Sequence, residues 1–407
     1  MANRKFQLKY KSGDNQYDPL NLVTDASLVR RDSNNLPIVG NNAEDLIQNM
    51  ANLLFPVWGG QMVDVSGFDV SELGKILVLQ SPTMNGKIAI LNTGEGIGAN
   101  NLCIYTPDGG ENWFKTGNSN NVSWFTKTAC SCLGCYQYDS STFTNTIDTF
   151  LFTMFNDDGQ SVSNSGINKF ARLSDCNYNI NGQMCGNSKT GSPWSTVCCT
   201  SWQFIVFSQD GKNLVYTEIG KFEWNIRTIQ EDNNLNLHTS FFNPEAVRVI
   251  ALGDNAYIVS EIDISKPWSI VKLNSAKYGK ILTGTYDDFG NLYLLTEKCI
   301  RKIYREDLTT GEGIDINFPT KFTSDNPTWN SILCHARMLV IASSNEDIAI
   351  LPLNKLTEEK WRVTRKGKQT EKTTFLVGSG GRLIFISYSQ NYFYIGYSYT
   401  APPSGIK

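Results

Sequence analysis

The sequence predicts a mainly β fold: a six- or seven-bladed β-propeller behind a small N-terminal α/β anchoring segment. Three observations carry this reading. From about residue 60 onward, short apolar runs alternate with turns rich in Gly, Asp and Asn. The resulting units recur at roughly 35–55 residues, the period of solenoids, propellers and arrays. Aromatic residues make up 12% of the chain and charged residues 18%, the balance of a strand-and-turn protein with few surface charges. Radially stacked four-stranded sheets would bury both faces of each central strand and leave only short edges. Tandem β-sandwiches are the alternative that the same strands allow.

The chain divides into an anchoring segment at 1–58, the propeller at 59–400 and a tail at 401–407. In the first part, Phe6, Leu8 and Tyr10 alternate with polar residues and read as one strand. Tyr17 to Thr24 makes a turn and an extended piece. Asn42 is placed to cap a helix with Glu44 and Asp45 in its first turn. Leu46, Ile47, Met50, Leu53 and Leu54 share one face of that helix, and Pro56 ends it. Such a face docks either on the rest of the chain or on another subunit.

The repeating part opens with two apolar runs, Ile76 to Leu79 and Ile88 to Leu91. Later runs at Phe204–Phe207 and Leu292–Leu295 are apolar without interruption, as strands buried on both faces are. A recurring pattern of strand, Asp-Gly or Gly-Asp turn, strand and tryptophan is seen around Glu218 and Trp224 and around Glu261 and Trp268. The run Ile332 to Leu339 reads as one strand, followed by Val340 to Ser343.

Thr106, Asp108, Gly110 and Trp113 follow the run Leu102 to Tyr105. In a hairpin turn an aspartate can accept backbone N–H groups, a glycine can take positive φ, and a tryptophan can cover the loop. The pattern resembles the Asp-box of many β-propellers, sialidases among them. The resemblance implies a turn closing the first blade, away from any catalytic centre. A sialidase would also need three arginines gripping a carboxylate and a Tyr–Glu pair. The arginines here (Arg172, Arg227, Arg248, Arg301 and Arg382 among them) are scattered. The two histidines, His238 and His335, offer little material for triads or His-based acid–base chemistry. The carboxylate pairs Asp157/Asp158 and Asp287/Asp288 fall in turns, where a solvated role is the commoner one. No enzyme is predicted.

Ten cysteines are present. Cys130, Cys132, Cys135, Cys176, Cys185, Cys198 and Cys199 lie in a stretch, about 126–200, expected as a Cys-rich loop insertion. Cys132 and Cys135 have the bite of a zinc knuckle, but no second such pair and no histidine lies nearby. Structural Zn²⁺, disulfides and free thiols are the three readings. Adjacent Cys198 and Cys199 bond each other only with strain. Cys103, Cys299 and Cys334 sit in strand-like runs and read as buried thiols.

The strand Phe6–Tyr10, the Tyr17–Thr24 segment and the helix Asn42–Leu54 together resemble the head of bacteriophage tail-fibre and tail-associated proteins. That resemblance covers about one-eighth of the chain. It implies a virion component, assembled in the host cytoplasm within a symmetric structure, with other virion subunits and a host-surface glycan as partners. Trp113, Trp124, Trp194, Trp202 and Trp329 are the side chains that could stack on sugars in a carbohydrate-binding alternative. The net charge of −3 gives no electrostatic reason for nucleic-acid binding. No secretory signal pattern is visible, and no apolar run approaches the roughly 20 residues that span a bilayer.

Overall fold

The computed structural model describes residues 192–365 apart from short breaks, together with the strands named below on either side. The chain falls into two compact units, Met1–Gly59 with Ser398–Thr400, and Gly60–Tyr397 with Ala401–Lys407. The first holds the hairpin β1 (Leu8–Ser12) and β2 (Gln16–Leu20), paired from Leu8↔Leu20 to Ser12↔Gln16. The docking-helix residues Leu46, Ile47, Met50, Leu53 and Leu54 lie outside the described residues.

The rest is a succession of sheets in which strands pair with their sequence neighbours, except that β3 joins the last sheet beside β29. After β3 (Trp58–Asp64), sheet A contains β4 (Lys75–Gln80), β5 (Ile88–Thr93), β6 (Cys103–Thr106) and β7 (Phe114–Thr116). Sheet B has three strands among the described residues: β8 (Thr128–Gln137), β9 (Ile147–Phe155) and β10 (Ile167–Arg172). Sheet C is β11 (Trp194–Cys199), β12 (Gln203–Ser208), β13 (Asn213–Glu218) and β14 (Asn225–Thr228). Sheet D is β15 (Thr239–Asn243), β16 (Arg248–Leu252), β17 (Ala256–Val259) and β18 (Ser269–Lys272). The four-residue helix α1 (Ser275–Tyr278), capped by the Asn274 side chain, leads to sheet E. Sheet E is β19 (Ile281–Tyr286), β20 (Leu292–Thr296), β21 (Ile300–Ile303) and β22 (Gly313–Ile316). Sheet F is β23 (Trp329–His335), β24 (Met338–Ser343), β25 (Asp347–Pro352) and β26 (Arg362–Arg365). Sheet G is β27 (Thr374–Ser379), β28 (Arg382–Tyr388), β29 (Tyr392–Ser398) and, as its fourth strand, β3.

Consecutive sheets pack through the two faces of their central strands. Side chains alternate along a strand, so Phe204 and Val206 of β12 join Cys132, Trp194 and Val215 on one face. Ile205 and Phe207 join Val249, Ala251 and Ile258 of sheet D on the other. The same division recurs in β16, where Ile250 and Leu252 meet Leu292 and Leu294 of sheet E. In β20, Tyr293 and Leu295 meet Leu339 and Ile341 of sheet F. Both faces are covered, so the central strands carry no polar alternation. Each fully buried Leu, Ile or Phe contributes about 1.5–3 kcal/mol relative to an exposed one.

Two sequence expectations are revised at the described residues. Within the stretch 126–200, expected as a loop insertion, Cys130, Cys132 and Cys135 lie on β8, and Cys198 and Cys199 end β11. Cysteine packs as a small apolar residue, and Cys132, Cys198 and Cys199 are buried in the inter-sheet layers. The hairpin expected at Leu339/Val340 turns instead between His335 and Met338, which pair across it, with Arg337 at φ 61°.

Candidate functional site

In a sheet of sequential antiparallel strands, the turn after the second strand lies at the same end as the connection to the next sheet. That end carries a polar seam across sheets C, D and E. The turn between β12 and β13 holds Asp210, whose carboxylate accepts from Ser208 Oγ (2.6 Å) and Lys212 N–H (3.0 Å), with Gly211 at φ 74°. Its neighbour Gln209 donates to Asn236 Oδ1 (2.9 Å) in the connection to sheet D. Asn236 Nδ2 donates to Asp254 Oδ2 (3.2 Å) in the turn between β16 and β17. Lys280 Nζ, just before sheet E, donates to the same oxygen (3.1 Å), and Lys280 N–H donates to Glu297 Oε2 (3.1 Å) after β20. Backbone bonds run alongside: Leu237 N–H to Gln209 O, Asp254 N–H to Leu235 O and Ile281 N–H to Asp254 O. Desolvation opposes ionisation of Asp254, yet the bonds from Asn236 and Lys280 hold its carboxyl below the usual range.

His238 sits within this seam. Its Nε2 is 3.1 Å from the Ile281 carbonyl and its Nδ1 is 3.0 Å from Thr239 Oγ1. A carbonyl only accepts, so Nε2 carries the proton and Nδ1 accepts from the hydroxyl. Burial pushes the pKa of His238 down. Both ring nitrogens are occupied by structural partners, and neither is offered to a substrate.

At the opposite end, the buried Asp287 closes the turn between β19 and β20. Its carboxylate accepts from the N–H groups of Phe289 and Asn291, from Asn291 Nδ2, and from the Tyr293 hydroxyl at 3.0 Å. Asp287 was expected among solvated turn carboxylates; it is 3% exposed, because these donors replace its water. Asn243 of sheet D donates to Gly290 O (3.0 Å) and ties the turn to its neighbour. On the outer strands, Arg301 donates to Asp315 and to the carbonyls of Gly311 and Gly313, and Lys277 also pairs with Asp315 (2.6 Å).

The remaining sequence candidates divide as follows. Thr106 is buried at the end of β6, and residues 107–113 link β6 to β7 in the register Tyr105↔Phe114. Asp108, Gly110 and Trp113 lie outside the described residues, as do Cys176, Cys185, Trp124 and Trp202. Cys198 and Cys199 point to opposite faces of β11, into two different layers, which separates their sulfurs. Burial pushes the Cys198 thiol up to about 12, and Cys299 and Cys334 are also raised by burial. Among the described residues, no three His, Cys, Asp or Glu side chains are grouped to hold a metal ion. Trp194 and Trp329 are buried, at 1% and 5% exposed, and present no face to a sugar. Arg227 is bound to the Ile264 carbonyl, Arg248 to Glu261 and Arg301 to Asp315. Among the described residues, no helix is long and apolar enough to cross a membrane. Sequence reasoning missed the seam, whose Asn, Gln and Lys residues lie in connections that look like ordinary loops.

No family model matches the chain, and no curated protein matches it. Solved structures match in fold. YCF48 bound to D1 peptide aligns over 84% of this chain and 95% of that one, at TM-score 0.54 and 9% identity. The fold is β-propeller-like. The extracellular domain of BT4673 from B. thetaiotaomicron aligns over 84% of this propeller-like chain at TM-score 0.52 and 11% identity. The chain spans only 40% of that domain's length.

Proposed function

We propose that the chain is a non-catalytic structural propeller of a phage or viral particle, tail- or fibre-associated, acting in subunit assembly or host-surface attachment. The observation that carries the non-catalytic part is the occupation of the chemically capable groups named above among the described residues. His238, Asp254, Asp287, Arg248 and Arg301 each hold a turn, a connection or a neighbouring strand in place. The blade count that fits is seven, one for each of sheets A to G, with β3 completing the last. The assembly part rests on the resemblance of the N-terminal segment to tail-associated proteins; that segment carries the hairpin β1–β2, in the unit Met1–Gly59 with Ser398–Thr400.

Cryo-electron microscopy of particles from cells making this chain tests the reading. Density for the propeller at the particle surface is the expected result, and virions without a copy of the chain overturn it. A panel of chromogenic glycosides tests the non-catalytic part, where robust turnover would contradict it. A glycan array run on the purified chain separates attachment through sugar from assembly alone.

A further inference from the structure

The end of sheets D and E opposite the seam combines an exposed aromatic ring with an excess of carboxylates. Phe289 is 66% exposed at the tip of the turn between β19 and β20. The turn is rigid: Asp287 accepts from Phe289 N–H, and Gly290, at φ 83°, is held by Asn243. A side chain displayed on a fixed turn loses little conformational freedom when it is covered. Behind it, Tyr286 stacks on Phe241 with ring centroids 6.1 Å apart, and Glu245 and Asp288 both act electrostatically on the Tyr286 phenol.

The turns at this end expose Glu245, Asp263, Asp288, Glu306 and Glu312. Their exposed cations are Lys266 and Arg305. Arg305 lies against Gly290: a Cβ on that glycine would sit 3.3 Å from Arg305 Cδ. At the other end of the same two sheets, Lys272, Lys277, Lys280 and Lys298 are exposed beside Glu297, with Lys277 paired to Asp315 and Lys280 to Asp254. The sheet pair is therefore polarised, with the excess of exposed carboxylates at the Phe289 end.

We propose that this end of sheets D and E is a docking surface for a lysine- or arginine-rich segment of a partner protein. Phe289 offers a ring face to a cation, and Glu245 and Asp288 beside it supply the complementary charge that steers and orients such a partner. The proposal deepens the reading of the chain as an assembly component by giving the chemistry of one contact.

The full chain is titrated into a fluorescein-labelled octalysine peptide, followed by anisotropy, with a Gly-Ser peptide of equal length as the control. Octalysine binds and the control does not. Phe289→Ser and Asp288→Asn each weaken binding by about three- to tenfold, the scale of a single cation–π or exposed charge contact. Glu297→Gln, which removes one charge from the seam end, leaves the affinity unchanged. Absence of octalysine binding overturns the proposal. So does equal weakening by Asp288→Asn and Glu297→Gln, which would mean attraction to net charge alone. Either failure leaves the search for the chain in particles unaffected, because that test reads the presence of the chain and not this surface.

Discussion

Neighbouring cysteines in a strand meet opposite environments, and Cys198 and Cys199 show the rule at the scale of single residues. One faces sheet D and the other faces the layer with Cys132. The improbability of a bond between them is visible in the sequence; the reason, a strand in place of a loop, is not. A thiol raised to about 12 by burial is almost wholly protonated at neutral pH. Cys198 is accordingly expected to stay unmodified by Ellman's reagent in the native chain and to react once guanidinium unfolds it; fast native labelling at this position, located by mass spectrometry, would contradict its burial. His238 gives a pH dependence with a definite sign. Its folded pKa lies below the unfolded value of about 6.5, so the unfolded chain binds the proton more readily. Its neutral form is accommodated without penalty above that value, and stability falls as pH drops through about 6.5 toward the folded pKa. Thermal unfolding at pH 7.5, 6.5 and 5.5 should show a slope that is shallower in His238→Gln.

Elements differ in how much of themselves the sequence discloses. The central strands β12 and β20 are legible because both faces are buried and their apolar runs are unbroken. The outer strands are not: β14 is largely exposed and β22 reads Gly-Ile-Asp-Ile, too short and too polar for a strand signal. β8 is hidden by Cys, Ser and Gly, residues that compositional reasoning assigns to loops. The candidate site is less legible still. A seam made of amides, turn carboxylates and one lysine has no motif, since its meaning lies in which connection crosses which turn. The turn elements make two predictions. Asp287→Ala strands the buried Tyr293 hydroxyl and several N–H donors, and a loss of about 3 kcal/mol is expected in urea unfolding. Tyr293→Phe removes one bond and should cost about 1 kcal/mol. At Gly253 an added Cβ would lie 2.2 Å from the Leu235 carbonyl oxygen, so Gly253→Ala forces the connection off the turn. A loss of at least about 2 kcal/mol in the same measurement is expected.

For the whole molecule, the repeat was legible and the manner of its completion was not. First strands begin at Lys75, Thr128, Trp194, Thr239, Ile281, Trp329 and Thr374, close to the period read from the sequence. The longest interval, from Thr128 to Trp194, contains the Cys-rich stretch. No sequence pattern distinguished Trp58–Asp64 as a partner for the C-terminal strands, because pairing between distant segments leaves no local trace. Removing residues 1–57 should leave the melting temperature of the sheets nearly unchanged, whereas removing 1–64 should lower it, because β29 loses its neighbour and exposes an unpaired edge. Differential scanning calorimetry of the two truncations compares them directly. The same pairing sets a timetable for synthesis. β3 leaves the ribosome among the first strands, and its partner β29 follows roughly 330 residues later, which at about 5–20 residues per second is a wait of some tens of seconds. Sheets A to F can each pair their strands as they emerge, but sheet G cannot be completed during translation. For that interval β3 is an unpaired strand, the stage at which nascent chains are most open to pairing with one another.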